Sequence, residues 1–364
     1  MIYVVGMDTK QERMTGQERL DTLFDYRKPD RVPIGSQFMS IGFNTVNVGG
    51  TITEAYDDPE KSFNAFLKTA EQYGWDHIFQ SFRHTVSGAQ DFGGKVRLPR
   101  GEYEGALIVV SHPVTSEKDI ENLQMPDPKT AGGIPKAMEF AELQKANGLP
   151  VSFCSRSPFT LAANICGLEL FLKWLIKKPE LCEYLIQIAL DHIINVLSNW
   201  AERFGSDRLF VWMSSPSESN QVISPKHFEK YALPFHVTYH ERLKSLGIKS
   251  FGFHVYGDQN LNLPYLADAS PWINPSVLSF GHEVDIDAAA NHFQRDIIFG
   301  NINPAVLQYG SPEQIYELSR AAIEKGKKAP GGFILAPGCD IPVMTPSENL
   351  HAMTKATNDY GWYE

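Results

Sequence analysis

Short apolar runs alternate along this chain with longer stretches in which apolar residues recur every three or four positions. The first pattern predicts buried strands and the second amphipathic helices. Thr15-Gly16-Gln17-Glu18 has the spacing of a capping box, and Leu20, Leu23 and Phe24 then share one helical face. Lys28-Pro29 stops this helix, and residues 31–35 read as a first strand. A helix over 63–73 leads to a second strand at 77–79. Residues 96–98 and 106–110, with the Arg100-Gly101 turn between them, read as an inserted hairpin. Later strands are predicted at 150–153, 208–212, 250–253, 277–280, 296–299 and 332–335. Between the third and fourth, Pro179 opens a long helix striped with Leu181, Leu185, Ile188, Ile193, Val196 and Trp200. Residues 225–246 form another helix, kinked or broken at Pro234. Eight strands alternating with helices predict a (β/α)8 TIM barrel, an α/β fold, with an N-terminal helical extension and the inserted hairpin. One domain spans residues 1–364 on this reading.

Composition narrows the function classes. The chain has 364 residues, 43% hydrophobic and 21% charged, which suits a globular enzyme with a sizeable core. Its formal charge of −10 argues against a general nucleic-acid surface, since phosphate binding needs clustered Lys and Arg. The four cysteines, Cys154, Cys166, Cys182 and Cys339, are too widely spaced to read as a disulfide framework. No secretory signal pattern and no sustained apolar run of bilayer-spanning length stand out, so no membrane association and a reducing cytoplasm are expected.

In such a barrel the reacting groups lie where the strands end at their C-terminal side. His254, after the fifth strand, and Cys339, after the eighth, are the sharpest pair there, because imidazole nitrogen and thiolate sulfur are ligands zinc prefers. A buried, merely packed His and Cys is the other reading of the same residues. Arg156 suits a carboxylate, phosphate or sulfonate, or an ion pair with one of the many acids. Tyr256 is a candidate acid or hydrogen-bond donor, and Asp258, Glu218 and Glu283 are candidate oxygen ligands, bases or plain surface acids. Gln259 and Asn301, on the fifth and seventh strand ends, are candidate cofactor contacts. His236 and His240 share a helix face, but no Glu stands beside the first as in H-E-x-x-H, so they read as packing or surface histidines. No phosphate-binding loop, nucleophile elbow or dinucleotide fingerprint stands out.

Four segments carry a family resemblance: Lys28-Pro29-Asp30-Arg31-Val32-Pro33, Ser157-Pro158-Phe159-Thr160-Leu161, Gly300-Asn301-Ile302-Asn303-Pro304 and Leu335-Ala336-Pro337-Gly338-Cys339. Together they resemble the uroporphyrinogen decarboxylase superfamily over nearly the whole chain, which also implies a (β/α)8 barrel. The decarboxylase branch carries an Arg-rich segment that here reads Gly35-Ser36-Gln37-Phe38-Met39-Ser40-Ile41-Gly42, with no Arg, and a catalytic Asp where this chain has Phe79-Gln80-Ser81-Phe82. The cobamide-dependent methyltransferase branch is more similar. Its zinc pattern, H-x-C after the fifth strand and Cys after the eighth, matches His254 and Cys339 but meets Tyr256 at the middle position. The resemblance implies methyl transfer between a cobamide, carried by a partner corrinoid protein, and a thiol or other small acceptor or donor, assisted by zinc. A metal-independent decarboxylase or lyase, and a corrinoid-binding relative without catalysis, are the alternatives.

Overall fold

The computed structural model describes residues 13–36, 40–76, 80–82, 86–101, 104–269 and 272–364. The hairpin forms close to its predicted bounds: β1 (Lys95–Arg97) pairs antiparallel with β2 (Ile108–Ser111). Six parallel strands follow, adjacent in chain order: β3 (Val151–Arg156), β4 (Leu209–Ser214), β5 (Ser250–Val255), β6 (Val277–Phe280), β7 (Ile297–Ile302) and β8 (Phe333–Pro337). Helices separate the strands, as parallel crossovers require.

The predicted first strand shrinks to two isolated bridges, Ile34 parallel to Leu335 of β8 and Arg31 antiparallel to Trp362. Leu335 donates its N–H to the Pro33 carbonyl at 2.9 Å, and Gly35 donates to the Leu335 carbonyl at 3.1 Å. Pro33 has no N–H to give, and the Val32 N–H goes to the Gly361 carbonyl at 2.9 Å, which limits the ladder here. The predicted second strand, 77–79, lies outside the described residues, but its flanks are placed. Asp76 donates its N–H to the Ile34 carbonyl at 2.8 Å. Gln144 ties the other flank to β3: its Nε2 donates to the Gln80 carbonyl at 2.8 Å and its Oε1 accepts from the Ser152 N–H at 3.1 Å. The ring thus runs from β3 through β8 and the Ile34 segment back toward β3, a (β/α)8 barrel.

Side-chain alternation divides the barrel wall into two faces. Phe153, Val211, Phe251, Phe253, Val255, Leu278 and Ile298 belong to the main core cluster, against the helices. Cys154, Phe210, Trp212, Val277, Ile297, Phe299 and Ile334 form a second cluster inside the barrel. Gly252 belongs to this inner face, where a Cβ would sit 2.4 Å from the Trp212 ring. The N-terminal helix, Gly16–Phe24, begins with the predicted capping box and sends Leu20 and Leu23 into the inner cluster. Beside it, Arg19 bonds Asp30 at 2.7 Å and Asp76 at 2.9 Å, and Arg31 bonds Asp76 at 3.0 Å. Burying these charges is tolerable because each is paired.

Two helices behave as their prolines and stripes predict. The break near Pro234 is a π-turn over Phe228–Ala232, followed by the helix Leu233–Ser245 with Pro234 in its first turn. The helix Pro179–Phe204 is the one single helix, among the described residues, long and apolar enough to cross a membrane. Leu185, Ile186, Ala189, Leu190, Ile193 and Trp200 bury its stripe in the core.

Candidate active site

Arg156, His254 and Asn301 were placed by sequence on loops beyond the strands, and the structure corrects this: each belongs to its strand, β3, β5 and β7. An apolar-run criterion truncates the strands because their last residues are polar, yet these residues are held inside the barrel. Register then assembles a layer that no sequence pattern displays. Arg156 pairs in register with Ser214, Ser214 with His254, and His254 with Ser279. Four adjacent strands therefore present Arg, Ser, His and Ser side by side at the C-terminal end of the barrel interior.

His254 and Cys339 meet. Cys339 Sγ lies 3.6 Å from His254 Nε2, and Ser279 Oγ lies 2.9 Å from His254 Nδ1. His254 is 2% exposed. Burial, and then the Arg156 charge, push its pKa down to about 3, so the ring is neutral near pH 7. With the proton on Nδ1 facing Ser279, the Nε2 lone pair faces the sulfur. Burial also pushes the Cys339 thiol well above its ordinary range, with Asp340 and Glu283 adding and Arg156 opposing. Left to themselves, both groups are neutral.

Three other groups crowd the pair. The Tyr256 ring stacks on His254, centroids 5.8 Å apart and 22° from parallel. Its phenol pKa is raised by burial, then by Cys339, Glu283 and Asp340. Asp340 is pushed up to about 6 by burial, against the pull of Arg156. Its Oδ1, like Glu283 Oε2, is buried without a hydrogen-bond partner among the described residues. Arg156, itself buried, donates from Nη1 to Ser214 Oγ, which faces it across β3 and β4.

The remaining predicted residues do different work. Asp258 is half-buried and closes its own turn, accepting from the Asn260 N–H at 3.0 Å. Gln259 is fully buried; its Nε2 donates to the Tyr256 carbonyl at 3.0 Å and its Oε1 accepts from Asn262 at 2.8 Å. Asn301 donates to the carbonyls of Val284 at 2.6 Å and Gly281 at 3.2 Å, holding the loop after β6. It also lines a cavity of about 380 Å³ with His282, Asn303 and Gln314. A second cavity, about 470 Å³, lies between Val46, Thr51, Ile52 and Val343, the last of these just beyond Cys339. Glu218 is not at the pair: it is buried against His236, Oε2 to Nε2 2.6 Å, and accepts from Ser157 through Oε1. His240 is buried between the rings of Phe251 and Trp272, with neither ring nitrogen hydrogen-bonded among the described residues. Sequence reasoning missed Ser279, Ser214 and Asp340. The first two needed the strand register, and Asp340 was in plain view beside Cys339.

The His254 to Cys339 spacing can be set against that of a zinc site. Zinc bonds of about 2.0 Å to nitrogen and 2.3 Å to sulfur at a tetrahedral angle put the two ligand atoms about 3.5 Å apart. The pair stands close to that length, which is also the span of an ordinary hydrogen bond between the thiol and Nε2, and Ser279 holds the other ring nitrogen. No group of three His, Cys, Asp or Glu side chains stands at ligand spacing among the described residues. Two ligands fit, and the third position is not prearranged.

The uroporphyrinogen decarboxylase (URO-D) family model matches residues 15–360. The chain belongs to the URO-D family. Methylcobamide:CoM methyltransferase MtbA of Methanosarcina acetivorans is 26% identical over 350 residues, covering 95% of this chain and 98% of that protein. Methylcobamide:CoM methyltransferase MtaA of Methanosarcina barkeri is 25% identical over 357 residues, with the same coverage of 95% and 98%. The solved structure of a methyltransferase from Methanosarcina mazei superposes with a TM-score of 0.79 at 24% identity, over 95% of this chain and 99% of that one. That likeness supports the same barrel for this URO-D member.

Proposed function

We propose that this chain is a corrinoid-dependent methyltransferase, moving a methyl group between a cobamide on a partner corrinoid protein and a thiol or other small acceptor or donor. The observation that carries this reading is the His254 Nε2 to Cys339 Sγ edge of 3.6 Å in a buried barrel mouth. The full-length similarity to methylcobamide:CoM methyltransferases supports it. His254 and Cys339 would hold a zinc ion. Bound there, zinc supplies a Lewis acid that lowers the pKa of a thiol and makes its thiolate available near neutral pH.

The protein groups have separable tasks. Ser279 orients His254 so that Nε2 is the ligating nitrogen. Arg156, at the same level of the barrel, is the group suited to an anionic portion of the small substrate. Tyr256 offers a protonated phenol beside the reacting sulfur. We read Gln259, Asp258 and Asn301 as shaping the loops around this mouth, and residues 1–364 as one domain.

The test is anaerobic incubation of the purified chain with methylcob(III)alamin and 2-mercaptoethanesulfonate, followed by absorbance. Thiol-dependent loss of the methylcobalamin spectrum is expected. No loss with that thiol or with a panel of other thiols and methyl donors would remove the reading. One observation favours a second reading, a metal-independent decarboxylase or lyase: the middle position of the zinc pattern is Tyr256, whose ring stacks on His254. Release of carbon dioxide from uroporphyrinogen under anaerobic conditions would support it. Tight cobamide binding without any methyl exchange would instead mark a non-catalytic corrinoid-binding protein.

A further inference from the structure

We infer that the cavity of about 470 Å³ beyond Cys339 binds the neutral, apolar body of a small molecule. Under the methyltransferase reading above, on which this role rests, that molecule is the small methyl donor or acceptor.

The lining decides the class of ligand. Val46, Ile52, Val343 and Met344 supply its hydrocarbon walls. Two threonines supply its hydroxyls, and both are already engaged. Thr53 Oγ1 donates to the Pro99 carbonyl at 2.9 Å. Thr51 Oγ1 accepts from the Glu54 N–H at 3.2 Å and donates to Glu54 Oε2 at 3.1 Å. No charged side chain lines the space among the described residues. A polar ligand would give up its water here and gain no partner, whereas hydrocarbon displaces water that has none. Met344 is 54% exposed, so apolar surface stands open at the edge of the cavity until something covers it. The volume falls in the ordinary range of small-molecule pockets, about 300–1,000 Å³, and an apolar cavity of about 150 Å³ already admits benzene.

The fold ties this cavity to the reacting end of the barrel. Val343 stands four residues past Cys339, so their Cα atoms are at most about 14 Å apart. Between them Ile341 is buried and donates its N–H to Ser40 Oγ at 3.2 Å. Ser40 opens the helix Ile41–Asn47, whose Val46 forms another wall. Gly42 of that helix allows close packing, since a Cβ there would stand 2.8 Å from Ile52 Cδ1 and 3.6 Å from Val343 Cγ2. One segment thus carries the thiol at its start and the cavity wall at its end. Arg156 selects a substrate by charge, and this cavity selects it by hydrocarbon. The cavity beside Asn301 provides the contrast, because His282, Asp285 and Lys325 make its lining polar.

The test is ligand-observed NMR of the full-length protein titrated with methoxybenzene, with 2-methoxyethanol as the polar counterpart. Methoxybenzene should bind with a dissociation constant of about 1 mM or tighter, and 2-methoxyethanol at least ~10-fold more weakly. Val343→Phe and Met344→Trp, which fill the space, should each weaken methoxybenzene at least ~10-fold, while Leu318→Trp at the polar cavity stays within about twofold. Neither Val343 nor Met344 is fully buried, and thermal unfolding checks that each variant is folded. Hexanethiol should displace the probe, and 2-mercaptoethanesulfonate should not. Equal affinity for the two ethers, unchanged affinity in both filled variants, or displacement by the sulfonate alone would overturn the assignment. So would self-association in sedimentation that Met344→Trp abolishes without any methoxybenzene binding, since a second copy would then cover this face. None of these readouts uses methyl transfer. Thiol-dependent demethylation of methylcobalamin by a preparation that binds no methoxybenzene would sink the inference and leave the methyltransferase reading standing.

Discussion

His254 and His236 are both fully enclosed, and both approach a group that can ionise, yet they do opposite things. His236 meets Glu218 at 2.6 Å, and the other carboxylate oxygen accepts from Ser157. Every strong electrostatic demand of that acid is met, and the cluster clamps the loops after β3 and β4. His254 meets a thiol at 3.6 Å, with its second nitrogen held by Ser279, and Asp340 Oδ1 in the turn after Cys339 has no hydrogen-bond partner among the described residues. Burial of a histidine is thus no mark of a site. What sets His254 apart is its contact with a thiol at the C-terminal end of the strands, with the other ring nitrogen held by Ser279.

The comparison is broken most severely at the structural pair. Glu218→Ala should destabilise the fold by about 3 kcal/mol, because it strands buried partners. Denaturant unfolding measures this, and a loss near zero would mean that the clamp is dispensable. At the mouth the expected sign is reversed: function should suffer and stability should not. Ser279→Ala should weaken metal binding by ~10- to 100-fold while changing fold stability by only about 1 kcal/mol. Competition titration with a chromophoric chelator gives the first number, and denaturant unfolding the second. Affinity equal to wild type would show that Ser279 does not orient the imidazole.

A third histidine sharpens the contrast through pH. His240 has its pKa pushed down to about 3 by burial, with Lys244 and His236 adding. The unfolded chain then takes up this proton first, near pH 6.5. The stabilising effect is fully present above about pH 6.5 and is lost progressively as pH falls toward 3. His240→Phe should flatten that part of the stability profile, read as denaturation midpoints at pH 7 and pH 5. An identical slope in the variant would place the acid sensitivity elsewhere.

Much of this architecture was legible in the sequence. The third to eighth strands, the hairpin, the capping box at Thr15 and the break near Pro234 all followed from periodicity and helix chemistry. The strand ends did not. Arg156, Ser214 and His254 are polar, so apolar runs stopped short of them, although the barrel interior encloses all three. The first strand is reduced to isolated bridges because Pro33 lacks an N–H and Val32 donates to Gly361 instead. The His254 and Cys339 partnership was legible from residue type and strand order, whereas Ser279 became visible only through the β5 to β6 register. Asp30 and Arg31, read as part of a family segment, turn out to be halves of a buried ion network with Arg19 and Asp76.

The central claim is that the thiol of Cys339 belongs to the reacting centre. The most direct test compares wild type with Cys339→Ala in thiol-dependent demethylation of methylcob(III)alamin, with unfolding followed in parallel. The account predicts a rate at least ~100-fold lower in the variant, with little change in stability. Equal rates in the two proteins would contradict it.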